Sequence, residues 1–454
     1  MTWSELGGAM KARAAVTWSI KYGLPGLGLR LAARRGEPVA RAFVEPGLRE
    51  DPFPVYDEIR ARGPLVGGRF VSATASHAVA NELLRSDVFR ADPTPAPSPL
   101  LARLLAAASD PRALGPDDAP SLLAIAPPQH TRIRRLVSHA FTARAMTALS
   151  TRVAELAHGM LDTIAAGRPA GEPVSFDLID SYAGLLPVTV IAEMLGVPTS
   201  MRREFLDWGG QAALSLEPGL SWRDYRRAYA ANRQGHVWLA EHIARLRRQP
   251  GDDLLSRMIE AADGSDRLSD TELHITALLI LGAGFETTVN LIGNAVALLL
   301  AHPDQLAALT AEPAGWGNAI EEVLRYDSPV QVTLRTPTAD TEVAGIPVAA
   351  RVPVVVLLGA ANRDPDVFAD PHRFDTTRGN AREHLAFSAG IHFCLGAQLA
   401  RLEATIAVRA LFDRFPDLVV ASRPTRRGTN VLRGYRRLPL RGTAAAAVRA
   451  APLG

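Results

Sequence analysis

Residues 270–301, which begin "DTELHITALLILGAGFETTVNLIGN", restrict the fold more than any other stretch of the chain. Apolar positions recur there with helical spacing. Ser269 or Asp270 is placed to cap the helix, Glu272 puts a carboxylate in its first turn, and Pro303 bars its continuation. Such a helix is ~48 Å long at 1.5 Å per residue, so it crosses a whole domain and the fold must be built around it. A membrane span has this length too, but Glu286, Asn290 and Asn294 interrupt the apolar run. Gly284, Glu286, Thr287 and Asn290 crowd the middle of the helix. A buried carboxylate costs about several kcal/mol unless it is paired, protonated or wet. That polar centre therefore calls for something elsewhere in the chain that needs protons or polar contacts.

Most of the remaining sequence has the same period. Helices are expected at 54–62, 130–141, 147–166, 187–195, 222–248 and 316–326, with short β-like runs at 69–73, 352–358 and 418–422. The fold class is mainly α with small β-sheets. The 454 residues would suggest about three domains by length, but no Gly/Ser linker or low-complexity break divides them. The Pro-rich "DPTPAPSPL" at 92–100 reads as a long loop. We expect one domain over 46–445, preceded by an N-terminal extension (1–45) packed on the body and followed by a C-terminal tail (446–454).

An apolar content of 47% with 21% charged residues fits a soluble globular protein, and the net charge of +3 comes with no dense Lys/Arg block, so nucleic acid is not an expected partner. The extension has no continuous apolar core followed by a cleavage site, and Lys21 and Pro25 interrupt its apolar stretch. It reads as an amphipathic segment packed on the body, with a membrane-surface anchor as the alternative; membrane association is not expected. Cys394 is the only cysteine, so no intramolecular disulfide can form, which fits a cytoplasmic location.

That cysteine lies in "FSAGIHFCLGAQLAR", residues 387–401. Gly390 permits a tight turn with positive φ, and Gly396 permits close backbone approach. Helical spacing begins at Cys394, and a helix N-terminus with free N–H groups favours a thiolate. A lone cysteine is more often a small buried hydrophobe. The surrounding pattern Phe-x-x-Gly-x-His-x-Cys-x-Gly reverses that reading.

The loop resembles the haem-thiolate signature of the cytochrome P450 family, and further motifs agree in order from about Asp51 to near the C-terminus. The resemblance is to soluble bacterial members. It implies the cytochrome P450 fold, with haem b between the long central helix and the cysteine-loop helix, and Cys394 as the axial thiolate. Phe387 and Gly396 belong to the same cofactor loop. The haem propionates need cations, and His130, Arg134, Arg335 and His392 match the family positions. Read alone, "HTRIRR" at 130–135 would be a solvated basic face.

"AGFETT" resembles the family's oxygen-binding segment, with Ala283, Gly284, Glu286 and Thr287 in the matching positions. Thr287 can bond back to the Ala283 carbonyl and open the helix locally, and Gly284 leaves room beside the cofactor. Glu286, about 100° round the helix from Thr287, is expected to reach solvent and supply protons, while Thr287 holds the oxygen in place. Glu322 and Arg325 of "EEVLR", joined in the family by an Arg that here is Arg373 of "PHRF", are assigned to structure. At 349–351 the chain has Ala-Ala-Arg where most relatives show Pro-Ala-Gly.

The function implied is a monooxygenase acting on a mostly apolar small molecule by hydroxylation or epoxidation. No flavin module, cysteine cluster or dinucleotide loop is fused to the chain. Electrons are therefore expected from a ferredoxin with its NAD(P)H-dependent reductase, docked on the cysteine side with Arg401 among the candidates. Two alternatives are a peroxide-driven oxygenase, against which the Glu–Thr pair argues, and a non-catalytic haem protein. Specificity is assigned to 90–126, 201–233 and 330–333.

Overall fold

A computed structural model describes residues 3–67, 71–91, 98–138, 141–166, 171–262 and 268–445. The 446–454 tail and most of the Pro-rich run at 92–100 lie outside the described residues.

The long helix Asp270–Ala301 is continuous, and it opens with a reciprocal cap: Ser269 accepts from the Glu272 amide while Glu272 accepts from the Ser269 amide. Helices Leu185–Met194, Arg202–Ala212, Trp222–Arg248 and Ala397–Arg414 pack on it. Nearly every side chain from Phe285 to Val296 is buried in the largest apolar cluster. Phe285 enters where helix Arg202–Ala212 has Gly209; a Cβ on Gly209 would lie 2.2 Å from the Phe285 ring.

The sheets are small and lie to one side. The largest has five strands in the order Val66–Gly67, Ser72–Thr74, Val354–Leu357, Val332–Pro337, Phe89–Arg90. Ser72–Thr74 runs parallel to Val354–Leu357; the other neighbours are antiparallel. The run expected at 69–73 is thus a strand displaced to 72–74, with 69 and 70 outside the described residues. Arg351 takes a left-handed φ of 66° and donates its amide to Pro337 O at 2.9 Å. A side chain thus stands in a conformation that favours glycine.

Beyond the cysteine helix, the chain returns to the centre. Thr425–Arg426 pairs with Tyr435–Arg437, and Pro439–Thr443 lies between Pro173–Asp177 and Val419–Val420. This return brings an arginine-rich segment against the middle of the long helix.

A buried ionic knot holds the cysteine side together. Arg325, with no exposed surface, gives Nε and Nη2 to the two Glu322 oxygens at 2.7 and 2.8 Å. Its remaining donors go to the carbonyls of Asn362, Pro371 and Arg373. The second guanidinium on Glu322 belongs to Arg378, at 3.2 Å, not to Arg373. Arg373 contributes its carbonyl, and its side chain is exposed. The turn at 370–373 points the Arg373 side chain outward and sends the next arginine inward, which spacing along the chain does not specify.

Candidate active site

Cys394 lies just ahead of the helix Ala397–Arg414 rather than within its first turn, and Gly396 is the N-cap residue. The loop is shaped by Gly390, whose φ is +66° and whose absent Cβ would lie 2.4 Å from Leu84 O. Any side chain there meets both backbone strain and a clash. The Cys394 amide donates to Phe387 O at 2.9 Å, tying the two ends of the loop together. The Phe387 ring sits under the Arg401 guanidinium, 4.5 Å from the ring centre.

The thiol has exposed surface yet feels an enclosed environment. Burial pushes its pKa up, against the opposing pull of the Gly396 amide and the charges of Arg134 and Arg401. The helix start was expected to favour a thiolate; here the loss of hydration outweighs it, so a cation at the sulfur is needed to hold the ionised form.

The four predicted basic groups converge. The His130 and His392 rings are 4.5 Å apart, and the positive charges of Arg335, His130 and Arg134 act on His392. Burial together with that repulsion pushes His392 down to about 3. Arg335, on the strand Val332–Pro337, is buried and lowered to about 10 by burial alone, and it bonds only to the neutral Thr333, Leu334 and Ser388. Arg134 donates to Phe393 O at 2.6 Å. Nδ1 of the buried His130 has no partner. Among the described residues, no carboxylate answers this cluster. Burial and repulsion hold both imidazoles toward their neutral forms, and the guanidiniums of Arg134 and Arg335 carry the charge. A buried cation without a counter-charge costs about several kcal/mol, so the cluster suits a buried dianion, which would also favour protonated imidazoles.

On the long helix, Ala283 is exposed although most of its neighbours are buried, and Thr287 is half-buried with Oγ1 donating to Ala283 O at 3.1 Å. The helix remains continuous there, so the back-bond is present without a break. Gly284 serves a different purpose from the one expected. A Cβ on it would lie 3.0 Å from Ile191, so its smallness lets helix Leu185–Met194 pack close. By contrast, Gly396 has no protein atom within 4 Å of where its Cβ would be. Gly396, Cys394 and Ala283 are each open, and the unanswered basic cluster reaches Cys394 through Arg134, which fits a dianionic, sulfur-ligated group.

Glu286 also departs from expectation. It is buried and ion-paired with Arg427, from the C-terminal return, instead of reaching solvent directly. Burial pushes its pKa up and Arg427 opposes this. Nothing in the sequence singled out Arg427 among the arginines around it. Arg401 is committed as well: it grips Glu321 through both carboxylate oxygens at 2.9 and 3.1 Å, and His384 adds a bond at 3.0 Å. It is not a free docking charge.

A family model described as Cytochrome P450 matches residues 214–314 and 317–426. A "Putative cytochrome P450 140" of Mycobacterium tuberculosis is 46% identical over 413 residues, which is 90% of this chain and 93% of that protein. The 6-deoxyerythronolide B hydroxylase of Saccharopolyspora erythraea is 44% identical over 69% of this chain and 76% of its own length. Among solved structures, P450BioI in complex with an acyl carrier protein carrying hexadec-9Z-enoic acid aligns with a TM-score of 0.77 at 32% identity, over 87% of this chain and all of that one.

Proposed function

This chain belongs to the cytochrome P450 family of monooxygenases, enzymes that carry haem on a cysteine thiolate, and on that premise we propose that it inserts one atom of O2 into a mostly apolar small molecule. The balance is one C–H bond, O2, two electrons and two protons in, and one alcohol and one water out; epoxidation follows the same balance. The observation that carries this reading is the conjunction of an exposed Cys394 in a glycine-shaped loop with four basic groups that no carboxylate among the described residues answers.

The bound group would be haem b. Cys394 would ligate its iron, and His130, Arg134, Arg335 and His392 would answer its propionates. When bound, haem supplies the activation of oxygen. The chain's own residues supply the rest. Arg401, stacked on the Phe387 ring, adds its positive charge near the sulfur, and the Gly396 amide donates to it and tempers its basicity. Thr287, held by the Ala283 carbonyl, presents a hydroxyl to the exposed face of the long helix. Glu286, one residue along and backed by Arg427, holds the proton that Thr287 needs renewed.

Electrons come from a ferredoxin with its NAD(P)H-dependent reductase, on the cysteine side. There Arg85, Arg382 and Phe393 line one cleft, and Ile391 is exposed nearby. Relatives are named as hydroxylases of 6-deoxyerythronolide B and of vitamin D(3), and a solved neighbour is in complex with hexadec-9Z-enoic acid on an acyl carrier protein, which supports a mostly apolar substrate. The lone cysteine supports a cytoplasmic location. Carbon monoxide on the reduced protein should give the strongly red-shifted band of thiolate coordination, and Cys394→Ser should abolish it. An unaltered spectrum in that variant would discard this reading.

A further inference from the structure

The N-terminal extension has two faces, and only one of them is used by the body. Its inner face is anchored in detail. Trp18 Nε1 donates to Leu220 O at 2.8 Å, Tyr22 OH donates to Ser215 O at 3.0 Å, and Lys21 pairs with Asp117 and Asp118 at 3.1 and 2.8 Å. Arg13 Nη2 donates to Ala107 O at 2.7 Å. Gly26 meets Gly219 backbone to backbone, so close that a Cβ on Gly26 would lie 2.8 Å from the Gly219 Cα. The extension thus joins two of the segments assigned to substrate selection, 90–126 and 201–233.

The opposite face of helix Leu24–Arg34 shows Leu24, Leu27 and Leu31, which are 58%, 50% and 46% exposed. Their i, i+3, i+7 spacing makes them one stripe. Arg30 and Arg34 border the stripe, and Arg35 follows at its end; all three are exposed and have no ion pair among the described residues. Between Glu5 and Glu37 the chain has six cations and no acid, whereas the whole protein carries only +3. On the helix gripped by Arg13, Leu100 and Leu104 are also exposed, at 67% and 45%.

We propose that this face docks on an anionic lipid surface, with the three leucines in the acyl boundary and the arginines on the headgroup phosphates. Leucines flanked by unpaired arginines without acids suit an anionic bilayer, whose negative surface potential draws such a segment and whose acyl region takes its apolar stripe. Docking places the segments bordering the distal side of the haem site beside the lipid, so a substrate dissolved in the bilayer has a short path in. This goes beyond the monooxygenase reading and does not depend on it.

The test is flotation of the full-length holoenzyme with vesicles of phosphatidylcholine alone and of phosphatidylcholine mixed with phosphatidylglycerol. Binding is expected only to the mixed vesicles and should weaken with salt. Leu24→Ser/Leu27→Ser/Leu31→Ser and Arg30→Gln/Arg34→Gln/Arg35→Gln should each weaken it, the arginine variant on the order of 100-fold. Both variants should keep the carbon monoxide spectrum, since neither touches the haem site. Absence of binding to mixed vesicles, or binding that both variants leave unchanged, overturns the proposal. A wild-type dimer in sedimentation that the leucine variant renders monomeric overturns it too, by assigning the stripe to a second copy.

Discussion

At the scale of single residues, the least expected contact is Arg427 on Glu286. Burial drives that carboxyl toward its neutral form, and the guanidinium pulls it back. Burial prevails, so the carboxyl lies above its ordinary pKa, the direction that the proposed proton-donor role requires. Replacing Arg427 by Leu removes the opposing charge, so the Glu286 pKa must rise further, and the pH profile of coupled turnover should move to higher pH. Thr287→Ala removes the hydroxyl and should leave NAD(P)H consumption running while product falls by about 10²-fold, within the range usual for a lost proton-transfer group. Measuring NAD(P)H, peroxide and product together separates the two. An Arg427→Leu profile that coincides with wild type would show the ion pair to be structural only.

At the scale of elements, helix ends were legible and strands only in part: the runs expected at 352–358 and 418–422 contain the strands Val354–Leu357 and Val419–Val420, whereas the one expected at 69–73 is displaced. The ends of 222–248, 270–301 and 316–326 lie where the sequence places them, because caps, periodicity and a following proline are all local signals. The strand Ser72–Thr74 owes its place to parallel pairing with Val354–Leu357, a partner far away in sequence. The same divide explains the ionic knot. Glu322 and Arg325 are one helical turn apart and readable; whether Arg373 or Arg378 completes them depends on how an irregular loop turns. Arg378→Met should destabilise by about 3–5 kcal/mol, the usual cost of breaking a buried pair, while Arg373→Ala should stay within about 0.5 kcal/mol. Urea midpoints of the two variants decide the matter, and the reverse order would restore Arg373 to the knot.

At the scale of the whole molecule, buried acids set the pH range of stability. Glu321 is pushed up by burial but held down to about 2 by His384 and Arg401. Asp327 is likewise pushed up by burial and held down to about 2 by Arg426 and Arg433. A carboxylate whose folded pKa lies below its unfolded value contributes stability above the unfolded pKa and loses it as pH falls through the folded one. Each is worth on the order of 2–3 kcal/mol, lost between about pH 4.5 and 2. Glu403 works in the opposite sense. It is buried on the cysteine helix with neither oxygen partnered, and burial raises its pKa well above the usual range. Its cost grows as pH rises above the unfolded carboxylate range, so Glu403→Gln should raise thermal stability at pH 8 more than at pH 5. Equal shifts at both pH values would mean that the folded carboxyl ionises as readily as it does in the unfolded chain, and would overturn the buried, neutral Glu403.

By itself the sequence determined a cysteine in a glycine-shaped loop and an acid and an alcohol at the centre of one long helix; the cations for a buried dianion were implied by the family resemblance alone. The cysteine, acid and alcohol rest on residue types and short spacings, which backbone geometry turns directly into position. Only the tertiary structure decided what opposes each group. It put Arg427 on Glu286, Ile191 against Gly284 and Glu321 on Arg401, and it decided which apolar face of the N-terminal helix turns outward. Leu29 and Leu31 are equally apolar, and periodicity cannot say which faces the body; that was settled by Gly26 meeting Gly219. Contacts between residues far apart in sequence depend on the energy of the whole packed arrangement, and no local stretch of chain encodes that energy.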